Sequence, residues 1–441
     1  MKKYIKHTLF VAATLFLVSA CDSRLDVQPT QSIDESTALA TEQDVQVTLI
    51  GTYDGMSSTN LYGGAIQYAG DLLGDDREVV FGGTFVTLDE LWRKTITTGN
   101  TQVRDTWLSA YSTINRANNV LSALDKVSAA NKNSIEGQAR LIRGAMYFEM
   151  VKLFAKAWGD GDNAANPGVP LVLTPTRSVT DADYKARNSV AEVYAQVIDD
   201  LTKAEQLAKT PVAAAMLSRV YLMQGNYALA RDAANRVIAS GDYDLAADFS
   251  DAFVDDSPET IFSIIVTDQD GSNAMNTYYA SSLNQGRGDV RVQSKHIALY
   301  EAGDIRGKFF NTSNAGSRTF TSKFNDRFGD VPVIRLAEMY LTRAEANFRL
   351  GTTVGAAPLA DVNTIRARAG LTALTAAQLT LAAILKERKL ELAFEGQQIH
   401  DIKRTKGTVG TTTLFSSNNL ILPIPQREID VNKKLTQNAG Y

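Results

Sequence analysis

The sequence predicts a mainly α protein: a tetratricopeptide-like helical repeat scaffold, an α-solenoid, with irregular loop and short-strand insertions. Three observations lead there. Apolar residues recur with helical period over long stretches, a helix–glycine–helix unit occurs twice, and two Gly- and Asn-rich regions interrupt the pattern.

The chain opens on a targeting segment. Lys2, Lys3 and Lys6 precede an apolar run from Leu9 to Val18, closed by Ser19 and Ala20. Such a run is too short to span a bilayer and reads as a secretory signal, residues 1–20. Cys21 follows directly and is the only cysteine of the chain, so it has no internal disulfide partner. Val18-Ser19-Ala20-Cys21 resembles a bacterial lipobox, which makes Cys21 the expected site of lipidation. Two acyl chains suffice for stable anchoring. Residues 21–40 are polar and Ser/Thr/Asp-rich and read as the lipidated N-terminus and its tether. Residues 41–441 read as a single domain.

Within that domain, the helical scaffold is expected at about 103–250 and 332–441. Val190, Val193, Tyr194, Val197, Ile198 and Leu201 fall on one helical face. Leu141, Ile142, Ala145, Met146 and Phe148 do the same between Ala139 and Ala155. The repeated unit runs Met216-Leu217-x-x-Val220-Tyr221-Leu222, then Gly225, then Ala230 and Ala233. Its second copy runs Tyr340-Leu341-x-x-Ala344, then Gly351, then Ala357 and Ala360. Glycine supplies the turn, and the small residues are expected where antiparallel helices approach closely. Further helical pairs are expected at about 103–156 and 188–240, and a last long helix from Ala376 to Phe394. Tyr147, Tyr194, Tyr221 and Tyr340 are expected in the core.

The loop-rich regions, about 51–100 and 250–331, are the expected ligand-facing surface, because binding residues concentrate on irregular excursions from a rigid scaffold. The first holds Tyr62, Tyr68, Phe81, Phe85 and Trp92; the second holds Tyr278 and Tyr279 near Asn284 and Arg287. Aromatic rings in such loops suit stacking on sugar faces, with amide and charged groups taking the hydroxyls. Trp92, Tyr278, Tyr279, Asn284 and Arg287 are the candidate ligand-binding residues; packing of the loops onto the scaffold is the competing role for each.

Composition excludes several classes. Of 441 residues, 44% are hydrophobic and 21% charged, and the net charge is −4, with no basic stripe; a nucleic-acid partner is not expected. Outside the signal the histidines are His296 and His400, and neither G-x-S-x-G, H-E-x-x-H, C-x-x-C nor a P-loop occurs. No metal, cofactor or catalytic residue is assigned. The acidic clusters Asp160–Asn163 and Asp268–Gly271 lack glutamate at loop position 12 and read as turns. Glu387, Glu391 and Glu395, at i, i+4 and i+8, could imitate a glycosidase pair, with Glu391 the candidate acid or nucleophile. The nearby arginines favour an ion-pair network instead.

In order along the chain stand Leu25-Asp26-Val27-x-Pro29, Trp107-x-x-x-Tyr111-x-x-Ile114-x-x-Ala117-Asn118, Ala139-Arg140-x-x-Arg143-Gly144-x-x-Tyr147-Phe148 and Gly168-Val169-Pro170-Leu171. Ile334-Arg335-Leu336-Ala337-Glu338-x-Tyr340-Leu341 and Asn363-x-x-Arg366-x-Arg368-Ala369-Gly370-Leu371 follow. The most specific run is Glu387-Arg388-x-x-Glu391-Leu392-x-Phe394-Glu395-Gly396, before Leu422-Pro423-Ile424-Pro425 and a closing Gln437-Asn438-x-Gly440-Tyr441. This series resembles the SusD/RagB family of outer-membrane nutrient-binding lipoproteins. The resemblance implies four tetratricopeptide-like repeats and a non-enzymatic protein on the exterior of the outer membrane. Its implied partner is a TonB-dependent SusC-like β-barrel transporter, to which it delivers captured oligosaccharide. RagB-type members take peptides, which is the alternative ligand. The motif residues are scaffold in the family, so the candidate binding residues come from this chain's loops alone.

Overall fold

The computed structural model describes residues 39–441 except 178, 314 and 315. Cys21 and the tether lie outside the described residues.

Helix α1 (Glu42–Ser57) begins at a reciprocal cap in which Thr41 Oγ1 accepts from Asp44 N–H and the Asp44 carboxylate accepts from Thr41 N–H. After an excursion the chain returns as α4 (Thr101–Ser122) and α5 (Ala129–Phe154), the excursion carrying α2 (Ala65–Gly74), β1 (Val79–Phe81) and α3 (Val86–Arg93). A second excursion, residues 155–189, leads to α6 (Val190–Ala208), which Ser189 and Glu192 cap reciprocally. Pro211 opens α7 (Pro211–Met223), and Gly225, at φ +70°, turns the chain into α8 (Tyr227–Ser240). The longest excursion then carries β2 (Thr260–Ile264), α9 (Ala274–Tyr279), β3 (Val290–Val292), α10 (Ser294–Ile297), β4 (Phe310–Thr312), β5 (Thr319–Thr321) and β6 (Val331–Arg335). It feeds α11 (Leu336–Leu350), α12 (Pro358–Arg368) and α13 (Leu381–Glu391), followed by α14 (Gln398–Arg404), the hairpin β7 (Thr408–Val409) and β8 (Thr413–Leu414), and α15 (Gln426–Val431).

The long helices stack in sequence: α1 on α4, α4 on α5, α5 on α6, then α7, α8, α11, and finally α12 and α13 on α11. This is the expected solenoid, with its core running from Val45 through Ile114, Phe148 and Val197 to Met339. Two antiparallel sheets sit on the excursions, one ordered β1-β3-β5-β4 and one pairing β2 with β6. The first brings chain positions near 80, 290 and 320 together, so both loop-rich regions meet in one sheet.

Three expectations are corrected in detail. Ala230 and Ala233 are buried as expected, but in the second unit Ala357 is the cap of α12 and Ala360 is exposed; Asp361, Val362 and Ile365 face the neighbouring helix instead. The last long helix starts at Leu381 rather than Ala376, because Thr380 Oγ1 accepts from Ala383 N–H and sets the start. It stops at Glu391, and left-handed Phe394 (φ +66°) and Gly396 (φ +77°) fold the chain back. Tyr147 and Tyr194 are core, whereas Tyr221 and Tyr340 are half-buried at its edge.

The turn at Gly396 receives α2 backbone against backbone. A Cβ on Gly70 would stand 2.0 Å from Gly396 O, and one on Gly396 would stand 2.6 Å from Gln67 Cα. Gly70→Ala is therefore expected to lower stability by about 2–3 kcal/mol, the usual result of overpacking against rigid atoms. Gly99→Ala, where a Cβ meets nothing within 4 Å, is the matched control. Equal urea midpoints for the two variants would contradict this account of the contact.

Candidate functional site

The outer sheet presents a platform of aromatic and arginine side chains. On β3, Val290 and Val292 point inward and are buried, so Arg291 between them faces outward. Its Nη2 donates to Gly82 O at 2.9 Å and its Nε to Gly288 O at 3.3 Å. Gly82 permits this approach, since a Cβ there would overlap the guanidinium at 2.3 Å. Just beyond, Arg287 lies 4.6 Å over the Phe85 ring and donates to Asp289 Oδ2 and Thr84 Oγ1. Phe85, 42% exposed, meets Tyr278 edge-on at 5.9 Å, and Tyr278 meets buried Tyr68 edge-on at 5.3 Å. Burial raises the Tyr278 phenol above the usual range, so it stays a neutral donor.

The candidate residues separate here. Tyr278 and Arg287 come together at the platform. Asn284 lies on the adjoining turn, where its side chain donates to Asn325 Oδ1 at 2.8 Å. Trp92 is engaged elsewhere: its Nε1 donates to Asp75 Oδ2 at 2.9 Å, and Arg93 covers its ring at 5.1 Å. Tyr279 is corrected as a stacking residue. It is 0% exposed, and its hydroxyl donates to buried Asp71 Oδ2 at 2.8 Å, so no ring face is open to a ligand. In a six-residue helix neighbours point apart, and one tyrosine faces out while the next locks α9 to α2. Phe85 was weighed among the loop aromatics but not chosen as a binding residue, and Arg291 was missed. The Val-Arg-Val alternation was the available signal for Arg291.

Beside the platform runs a polar groove of about 580 Å³, between α1, α4 and the segment 264–273. Ser109, Ser112 and Thr59 line it, with Asp54, Arg116 and Asp270 as its charges, and Ile265, 73% exposed, at its edge. Asn273, which caps α9, links groove to platform.

The glutamate row makes no such opening. Glu391 is 0% exposed and is held by Arg306, Arg335 and Arg368, which keep its carboxyl ionised well below the usual range despite burial. Glu395 accepts from Lys323 and Arg335, and Glu387 pairs with Arg306 at 2.6 Å. An acid catalyst needs a raised pKa and access to substrate, and Glu391 has neither. His296 is buried against Glu78 (Nδ1 to Oε2, 2.8 Å), and His400 is buried in the scaffold. No group of three or more metal-ligating side chains occurs among the described residues, and no helix among them is long and apolar enough to cross a membrane.

Comparison with known proteins decides the family. Residues 308–441 match a family model described as the SusD family, and residues 25–222 match one described as starch-binding associating with outer membrane. The chain belongs to the SusD/RagB family. A SusD-like protein P2 of Formosa agariphila is 26% identical to this member over the full length of both chains. Starch-binding protein SusD of Bacteroides thetaiotaomicron is 30% identical over 168 residues, 35% of this chain and 29% of its own. Among solved structures, a putative sugar binding protein from Bacteroides vulgatus superposes with a TM-score of 0.82 at 27% identity, covering 92% of this chain and 100% of its own. Proteins of the SusD family bind rather than transform their ligands, in keeping with the sealed glutamates.

Proposed function

We propose that this SusD/RagB member is a glycan-binding lipoprotein anchored through Cys21, which captures oligosaccharide at the cell surface and delivers it to a TonB-dependent SusC-like transporter. The observation that carries this reading is the platform of Phe85, Tyr278 and Arg287. It offers a half-exposed aromatic surface with a hydrogen-bonding rim, on excursions held by a rigid solenoid. Sugar rings stack their C–H faces on such surfaces, while guanidinium and amide groups take the hydroxyls. The names of its relatives, a starch-binding protein and a putative sugar binding protein, support the same ligand class.

Calorimetric titration of the purified chain against oligosaccharides and peptides tests it. A sugar bound at micromolar to millimolar strength is expected, and Phe85→Ala or Tyr278→Ala should each weaken it about tenfold, the worth of one aromatic contact. Trp92→Ala should leave it within about twofold, since that ring is not part of the platform. Binding of peptides with no response to any sugar would assign the site to the RagB-type alternative.

A further inference from the structure

We infer that the platform is built for a negatively charged glycan, one bearing carboxylate or sulfate groups; this rests on the glycan-binding reading above. Arginines on this surface outnumber the acids that pair with them. Across the scaffold, arginines are matched with acids: Arg143 with Asp200, Arg219 with Glu338, Arg343 with Asp361, Arg404 with Glu345. The insertion surface departs from that practice. Arg291 spends its hydrogen bonds on the carbonyls of Gly82 and Gly288 and pairs with no carboxylate. Arg318, exposed at the start of β5, has no acid partner among the described residues. It stands close enough to Arg291 that, after burial itself, its charge lowers the Arg291 pKa, with the charge of Asp289 opposing. Arg327 donates to Ser272 Oγ and Gln285 Oε1, both neutral, and is likewise exposed. Arg287 is the exception, balanced by the buried Asp289.

Register explains why these charges share one face. Val292 pairs with Thr319, so Arg291 and Arg318 are the residues just before facing positions of neighbouring strands. Phe85 joins them through Arg287, whose Nη2 reaches Thr84. The result is an aromatic ring covered by Arg287, with the half-buried Arg291 and the exposed Arg318 on the adjoining strands of the same sheet. Arg291 and Arg318 repel, and the one carboxylate whose charge opposes this at Arg291, Asp289, is already paired with Arg287, so a bound anion relieves the repulsion. Guanidinium forks match carboxylate and sulfate geometry better than they match hydroxyls. The chain as a whole carries net charge −4, so the local excess is not a reflection of bulk composition.

The experiment pairs each acidic oligosaccharide with its neutralised counterpart. Oligogalacturonate is compared with its carboxyl-reduced form, and a sulfated oligosaccharide with its desulfated form, by calorimetry on the purified full chain. A poly-glutamate peptide is the third probe. One acidic member is expected to bind at least about tenfold more tightly than its neutral twin, as one charge-assisted hydrogen bond would give. Which pair responds separates carboxylate from sulfate. That preference should fall as salt rises, and Arg291→Gln with Arg318→Gln should abolish most of it. Arg318→Glu alone, at an exposed position with no acid partner among the described residues, should reverse it without altering the melting temperature. Equal affinity within every pair, unmoved by these substitutions, would overturn the anionic assignment and leave glycan binding standing. Binding of poly-glutamate alone, or of none of the probes, would overturn the glycan reading and this inference together.

Discussion

Arg335→Met should unfold at a urea concentration well below that of the wild-type chain, with a stability loss of about 3–5 kcal/mol. Arg335 ends β6, where the longest excursion rejoins the scaffold, and its guanidinium is 0% exposed. Nη1 donates to Glu259 Oε1 at 2.5 Å and to Glu391 Oε1 at 3.0 Å; Nε and Nη2 donate to the two oxygens of Glu395 at 2.9 and 2.7 Å. One side chain thus ties the start of β2, the end of α13 and the turn beyond it. Burying these ions is costly, so the network as a whole adds little net stability. Removing its centre is different, because Glu259, Glu391 and Glu395 then remain buried with fewer counter-charges. Arg335→Lys keeps the charge but loses the fork and should fall between the two. An unchanged urea midpoint for Arg335→Met would show that the three carboxylates find other partners or take up protons at little cost.

That network also marks how far the sequence could be read. Helical period and the Gly225 and Gly351 turns revealed the solenoid because they are local signals: each reports on residues within one or two helical turns. Glu387, Glu391 and Glu395 were legible as an ion-pair row for the same reason, with arginines at helical spacing beside them. Their main partners were not legible, since Arg306, Arg335 and Lys323 come from the excursion before α11 and meet them only through tertiary packing. The site shows the same division. The two loop-rich regions stood out by composition, yet composition could not say which face each ring takes. Tyr278 and Tyr279 are adjacent and alike in sequence, and one is on the platform while the other is sealed against Asp71. Trp92 drew attention by residue type, but its indole N–H is used to hold the turn before β1. Arg318 had no local signal, because its meaning depends on β5 pairing with β3.

Asp71→Asn should change how stability depends on pH, and the effect ties the platform to the scaffold. Asp71 lies in α2, 7% exposed, and receives two hydrogen bonds: from the Tyr279 hydroxyl at 2.8 Å and from Gly396 N–H at 2.8 Å. It therefore joins α9, which carries Tyr278, to the glycine turn of the scaffold. Burial outweighs both hydrogen bonds and pushes its carboxyl up to about 7, with the Glu395 charge adding to the rise and Lys323 opposing it. In the unfolded chain the group titrates near 4. Between those two values the folded state holds a proton that the unfolded state has released, so folding loses stability as pH rises through that window. The contribution is fully present below pH 4 and gone above pH 7. Three pH units at about 1.4 kcal/mol each set a ceiling of roughly 4 kcal/mol. Asparagine keeps the shape and an acceptor for Gly396 but cannot ionise. The stability of Asp71→Asn relative to wild type should therefore rise by up to that amount between pH 4.5 and pH 8, measured by urea unfolding at each pH. Other titrating groups are common to both chains and cancel in the difference. A difference that stays flat across that range would mean that Asp71 ionises in the folded protein at its ordinary pH, with the Tyr279 and Gly396 hydrogen bonds outweighing burial.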